Sequence, residues 1–394
     1  MRLNENVERA PAYPFVRLAE RRRAAEADGV AVIDLSMGEP TDPAPLAVRA
    51  ALAQDAASLS LCQYPSAEGL GELREAIARW IVRRFGIALE PGREILPTLG
   101  AKEAIALMAR LFAQPGDTVA VSSPSYPVPE RSARASGLTV SVQVLSAAQG
   151  WLPDLDAIPW AETAIVWVVS PHNPTGAIAP LALLEELAER CRRNGAILAL
   201  DETYCEFWYD GEPPPSGLQL ADRSGVVVFN SLSKRSALAG LRSGFVAGDP
   251  EIVGRIRRHR SDIGTTPPAL VQRASIVAWE DDAHVREARE RYAEKRALLA
   301  AAARCSGLQE AGAPAGIFLW LRVPDGDDVR AHEQLLERSL LVVPGSYLGV
   351  GGEGHLRVAL TPRPARIARA AELLRDEAAD AKAQRRGRAR ARSA

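Results

Sequence analysis

The chain has 394 residues, 47% of them hydrophobic, enough to bury a large core and to form two domains. Its formal net charge of −1 gives no electrostatic footprint for nucleic acid or a membrane surface, and it shows neither a signal-peptide h-region nor a run of about eighteen apolar residues. Cys62, Cys191, Cys205 and Cys305 stand apart with no CxxC pair, which excludes a zinc-ribbon pattern or disulfide framework and makes the reducing cytoplasm the expected compartment.

In chain order, residues 1–45 read as an arm: a helical patch from Phe15 to Ala27 and an apolar stretch from Val30 to Leu35, set among prolines. A helix from Leu46 to Leu52 follows, then a longer one with Leu73, Ile77, Trp80 and Ile81 on one face. From Ile95 onward short apolar runs alternate with helical segments. Strands are expected at Thr118 to Val121, Thr139 to Leu145, Ala164 to Val169, Ala196 to Leu200, Val226 to Phe229 and Phe245 to Ala247. This alternation predicts an α/β fold with a mainly parallel sheet covered on both faces, whose ligand crevice lies beyond the carboxyl ends of the strands. A charged helix from Ala283 to Arg304 interrupts the alternation. Beyond it come strands at Ile317 to Val323, Leu340 to Val343 and His355 to Leu360, with helices from Asp327 to Ser339 and from Pro364 to about Lys382. The expected organisation is an arm over 1–45, a large domain over 46–283, and a smaller α+β domain over 284–394 that ends in a disordered basic tail from about 383.

Four predicted strand ends carry chemistry. SSPSYP brings Tyr126, SPHNPTG brings Asn173, DETY brings Asp201 and Tyr204, and NSLSKRSALAGLR brings Ser231, Ser233, Lys234 and Arg242. A lysine just past a buried strand can trap a carbonyl compound, or it can be a solvated turn. Asp201 follows an aliphatic run, so its carboxylate either caps a loop or neutralises a cation such as a cofactor ring nitrogen. Asn173 suits a tight turn on backbone grounds alone, and Tyr126 suits packing as well as stacking. Gly100, Ala101 and Lys102 open a helix whose free N–H groups favour an anion, and Ser231, Ser233 and Arg242 add donors. No GxxxxGK[ST] or strand-borne GxGxxG is present, so a nucleotide is not signalled. A carbonyl-trapping lysine, a ring-nitrogen carboxylate, an aromatic plate and a phosphate cup together describe pyridoxal 5′-phosphate.

The segments SPHNPTG, DETY, SLSKRSALAGLRSG and YPSAEGLGELREAIA resemble, in content and placement, the class I/II aminotransferases of fold type I, from about Tyr13 to Leu374. The resemblance implies that Lys234 carries the cofactor covalently, Asp201 pairs with its pyridinium nitrogen, Asn173 and Tyr204 bind its ring hydroxyl, and Tyr126 stacks on it. It further implies that Ala101, Lys102, Ser231, Ser233 and Arg242 hold the phosphate, with Tyr64 reaching the phosphate from the partner of a homodimer. Arg357 in HLRVAL would bind the substrate carboxylate, with Gly38 in SMGEP adding a backbone donor. Within the family, AYPFVRL, IDLSMGEP, HVREARERYAEKRALL, IFLWLRVP and VVPGSYLG are similar to succinyldiaminopimelate aminotransferases of lysine biosynthesis, with 2-oxoglutarate as acceptor. Arg235 and Ser236 depart from the threonine and the aromatic or glycine that follow the lysine in many relatives, and GTTPPALVQ (264–272) is expected to be a substrate-side loop with no assigned role. Other transaminations (aromatic, alanine or aspartate type) and carbon–sulfur β-elimination stay open. The fold also occurs in effector-sensing transcription regulators, but the 45 residues before the large domain are too few for a DNA-binding domain, so no nucleic-acid partner is expected.

Overall fold

The computed structural model describes residues 5–8, 13–57 and 62–376; the basic tail and the stretch to about Lys382 expected to continue the last helix lie outside them. β1 (Ile33–Asp34) is short, and the next seven strands form one sheet: β2 (Ile95–Leu99), β3 (Thr118–Ser123), β4 (Thr139–Val144), β5 (Thr163–Val169), β6 (Ile197–Asp201), β7 (Val226–Ser231) and β8 (Ser243–Gly248). Their order is β2-β8-β7-β6-β5-β3-β4. All neighbours from β7 to β4 pair in parallel, while β8 runs antiparallel to both β7 and β2. The link from β7 to β8, residues 232–242, holds only a one-turn helix and a 3-10 turn, so the chain doubles straight back instead of crossing over to a parallel neighbour. β8 therefore starts at the edge where β3, β5, β6 and β7 end.

The period of two along each strand splits the apolar runs between two cores. Val166, Val168, Val226 and Val228 face Ile77, Trp80, Leu184 and Trp279 on one side. Ile165, Trp167, Val227 and Phe229 face Ile105, Met108 and Ile256 on the other. Full burial of one such side chain stabilises the fold by roughly 1.5–3 kcal/mol, which is why strands covered on both faces read as continuous apolar runs. The helix Gly71–Phe85 buries Leu73, Ile77, Trp80 and Ile81 as its spacing predicts, and ends where Gly86 adopts φ 73°.

A second sheet is antiparallel throughout. It contains β9 (Gln309–Glu310), β10 (Phe318–Arg322), β12 (Val343–Pro344) and β13 (His355–Ala359) in the order β12-β13-β10-β9. β11 (Leu340–Leu341) pairs instead with β1, in parallel. The single strand expected from Leu340 to Val343 is thus two pieces with different partners. Helices Ala283–Cys305, Asp328–Glu337 and 364–376 cover this sheet through Leu299, Leu335 and Ile367, in a core that also takes up Ile33 and Leu35. The arm is anchored again where Leu18 and Val32 pack with Trp320, Leu341 and Val343.

Two long helices escape sequence reading, Pro250–Ile263 and Ala269–Glu280. The first is rich in arginine and shows the core little beyond Ile252, Val253 and Ile256, so its polar face hides the period. Residues 264–272 are the link between them plus the first turn of the second: Gly264 closes one helix at φ 66°, and Pro268 precedes the other. Gln272 in that turn accepts from Leu70 N (2.6 Å) and donates to Pro267 O (2.7 Å), bracing the loop that enters helix Gly71–Phe85. Among the described residues no helix is long and apolar enough to cross a membrane.

Close backbone approach fixes one glycine beside the sheet edge. A Cβ at Gly244 would lie 2.6 Å from Asn230 O and 2.9 Å from Ala101 N, backbone atoms with no freedom to retreat. Gly244→Ala is expected to cost about 1–3 kcal/mol of stability, read as a lower denaturant midpoint with an unchanged m-value.

Candidate active site

The strand ends open into one cavity of about 550 Å³ bordered by Gly38, Ala101, Lys102, Tyr126, Asn173, Asp201, Tyr204, Ser231, Ser233, Lys234, Arg242 and Arg357. These are the residues that the sequence singles out, Tyr64 excepted. Tyr64 is fully exposed and does not border the cavity of its own chain.

Lys234 belongs to a one-turn helix, Leu232–Arg235, where a loop is expected from the sequence. The turn forms because Ser231 caps it, its Oγ accepting from Ser233 N at 3.1 Å. Lys234 Nζ donates to the carbonyl oxygen of Gly38 in the arm. Burial holds the amine down to about 8; the Glu39 carboxylate opposes this most, Arg357 and Arg242 add to it, and Asp201 opposes it.

The anion cup lies at the head of helix Ala101–Phe112. Gly100 precedes the helix at φ 68°, and a Cβ there would meet Arg242 Nη2 at 2.7 Å. Arg242, itself at φ 52°, donates to Ala239 O (2.8 Å) and Leu99 O (3.2 Å), which lays its guanidinium over the helix N-terminus. Lys102 stands close by, its amine held below its ordinary value by burial and by Arg242. Ser231 Oγ lies 2.8 Å from Ser233 Oγ and 2.9 Å from Ser243 O. Cations, hydroxyls and free N–H groups converge on one spot, the donor set of a phosphate site.

Across the cavity, Asp201 is buried at the end of β6, with Oδ1 accepting from Thr203 N at 3.1 Å. Burial raises its carboxyl above the ordinary range, while the Thr203 hydrogen bonds and the Lys234 charge pull it back. Tyr204, buried and hydrogen-bonded to Asn173, has its phenol raised by burial and by Asp201. Asn173 Oδ1 accepts from Arg357 Nη1 at 3.0 Å, and Arg357 Nη2 donates to Ser36 O at 2.6 Å. Arg357 is only 2% exposed, on a strand buried on both faces rather than an outward-facing one. Its guanidinium carbon lies 4.2 Å from the Phe318 ring centroid and 5.1 Å from that of Phe15. Burial brings it down to about 10, and its Nε has no hydrogen-bond partner among the described residues.

Tyr13, Phe15, Glu39, Thr203 and Phe318 also border the cavity and are not anticipated. Tyr13 shares a hydrogen bond with Tyr126, whose phenol burial raises. Tyr13, Phe15 and Glu39 sit in the arm and Phe318 in the second sheet, far from any large-sheet strand end, so only their place in AYPFVRL, SMGEP and IFLWLRVP hints at them.

The family described as aminotransferase class I and II matches residues 30–374. The 4-dedimethylamino-4-oxo-anhydrotetracycline transaminase OxyQ of Streptomyces rimosus is 38% identical, over 92% of this chain and 99% of that protein. An LL-diaminopimelate aminotransferase of Dehalococcoides mccartyi is 33% identical, over 92% of this chain and 95% of its own length. Among solved structures, a probable N-succinyldiaminopimelate aminotransferase from Thermus thermophilus is 32% identical with a TM-score of 0.85, covering 92% of this chain and all of that one. The chain belongs to the class I and II aminotransferases and is a transaminase with the fold type I architecture.

Proposed function

We propose that the cavity binds pyridoxal 5′-phosphate and that the enzyme moves an amino group from a diaminopimelate-type amino acid, N-succinyl-L,L-diaminopimelate foremost, to 2-oxoglutarate. The observation that carries this reading is the meeting of Lys234, Asp201, the cationic cup around Arg242 and the buried Arg357 in one cavity. The fit is chemical as well as spatial: a buried guanidinium with an unpartnered Nε and a cup of converging cations both call for anionic ligand groups.

Bound there, the cofactor would supply an aldehyde that condenses with amines and a ring into which electrons from the substrate Cα can spread. Lys234 Nζ is the covalent anchor and then the base that takes and returns the Cα proton, a role suited to an amine near 8. Asp201 holds a cationic ring nitrogen, Asn173 and Tyr204 hold a ring oxygen, and Tyr126 covers a ring face. Ala101, Lys102, Ser231, Ser233 and Arg242 hold the phosphate. Arg357 receives the substrate α-carboxylate in a planar, two-pronged contact, with Gly38 N–H beside it. Tyr64, fully exposed in the single chain, serves the partner's site in a homodimer. The same reading assigns residues 46–283 to a cofactor domain and 284–394, with the arm, to a smaller one.

The diaminopimelate assignment is supported by the names of two relatives, one using LL-diaminopimelate and one a probable N-succinyldiaminopimelate enzyme. A second reading, amination of an oxo-anhydrotetracycline-type ketone, is favoured by the 38% identity that spans 99% of OxyQ.

A panel of amino donors with 2-oxoglutarate, including both diaminopimelates, set against an oxo-anhydrotetracycline acceptor, decides between these; Lys234→Ala should lose the visible band of lysine-bound cofactor and at least about 10⁴-fold in turnover. A variant that kept both would sink the assignment. Arg357→Lys replaces a bidentate contact with a point charge and should raise KM for donor and 2-oxo acid about ten- to a hundredfold, measured in steady state. Capture of pyridoxal 5′-phosphate by the cofactor-free protein requires the neutral amine, so its rate should climb with pH through a midpoint at about 8 and level off beyond it. Glu39→Gln removes the neighbour that most favours the ammonium and should move that midpoint downward.

A further inference from the structure

Immediately after Lys234 the chain buries a second cation. Arg235 is 1% exposed, with its guanidinium carbon 5.7 Å from the Trp80 ring centroid and 5.0 Å from that of Trp279. Nη1 donates to Ala278 O at 2.6 Å, Nη2 donates to Asp282 Oδ1 at 2.7 Å, and Nε lies 3.8 Å from Glu206 Oε1. The next residue is tied as well: Ser236 Oγ lies 2.8 Å from His284 Nε2, and His284 Nδ1 lies 2.9 Å from Asp281 Oδ2.

A buried ion pair is a weak source of stability, because desolvation offsets much of the attraction and an apolar side chain of similar volume often does as well. What a fixed guanidinium fork adds is position. Position is what a four-residue helix cannot supply for itself, since one turn of helix is not self-supporting. Arg235 closes that turn against the end of helix Ala269–Glu280 and the head of helix Ala283–Cys305. Glu206, which it also faces, lies five residues past Asp201 and accepts from Trp80 Nε1 at 3.1 Å. One side chain therefore spans the turn after β6, which bears Asp201, and the turn after β7, which bears Lys234.

We infer that Arg235 is a positioning residue that holds the Lys234 amine in register with Asp201 by locking the lysine-bearing turn to Glu206, Asp282 and the two tryptophans. It is not among the residues that border the cavity. The inference rests on the proposed function for its kinetic readout. Arg235→Met should still bind pyridoxal 5′-phosphate but lose about ten- to a hundredfold in kcat per bound cofactor, with KM for the donor little changed and the visible band of lysine-bound cofactor weakened. Arg235→Lys should recover part of both. Asp282→Asn neutralises the half-exposed partner, which also pairs with Arg83 at 2.9 Å, and should show a smaller loss in the same direction. A lowered thermal midpoint with kcat per bound cofactor and the visible band unchanged, in Arg235→Met or in Asp282→Asn, would overturn the inference. If the wild type formed no visible band, the cofactor reading would fall separately. Reductive methylation of Lys234 in the cofactor-free protein, followed by mass spectrometry, then decides the positioning role: a changed rate in Arg235→Met supports it, an unchanged rate refutes it.

Discussion

The cavity is organised by the cost of keeping an amine out of water among other cations. Lys234 shares its cavity with Lys102, Arg242 and Arg357, and among the described residues only Asp201 and Glu39 border it with opposite charge. Desolvation and like charge both favour the neutral amine, and the two carboxylates limit how far it shifts. The outcome is an amine held down to about 8 beside an excess of positive charge, a surrounding that suits anionic ligand groups.

Such a cavity needs walls that do not move independently. The floor is the edge of the parallel sheet, where loops leave rigid strands. The wall that carries the anion cup depends on β8 running antiparallel, because that return brings Arg242 and Gly244 against Gly100 and Ala101. The far wall is borrowed from elsewhere in the chain: Arg357 and Phe318 come from the second sheet, Tyr13 and Gly38 from the arm. Arg357 connects these parts, bonded at once to Asn173 after β5 and to Ser36 in the arm. Any anion that paired with this arginine would therefore be felt by the sheet edge, the second sheet and the arm together.

Much of this is legible in the residues because strand-end chemistry is local. Asp201, Asn173, Tyr204 and Lys234 follow apolar runs directly, and a parallel sheet sends all such ends to one edge. The helix Gly71–Phe85 is equally plain, since its apolar face repeats with helical period. Helix Pro250–Ile263 is not, because arginines on its solvent face swamp a narrow apolar stripe. Arg235 reads only as a departure from the family pattern; its tryptophan cage comes from helices separated from it and from each other in the sequence.

The sequence by itself determined the alternation of strands and helices, the edge at which chemistry collects, and the lysine, aspartate and arginine residues placed there. These follow from periodicity and from residues adjacent to their strands. Only the tertiary structure decided that β8 turns back, that β11 leaves its expected strand to pair with β1, that Gly38 receives the Lys234 amine, and that Glu39 and Tyr13 complete the cavity. Each depends on contacts between segments far apart in the chain, and no local pattern records which distant backbone or ring will satisfy a buried polar group.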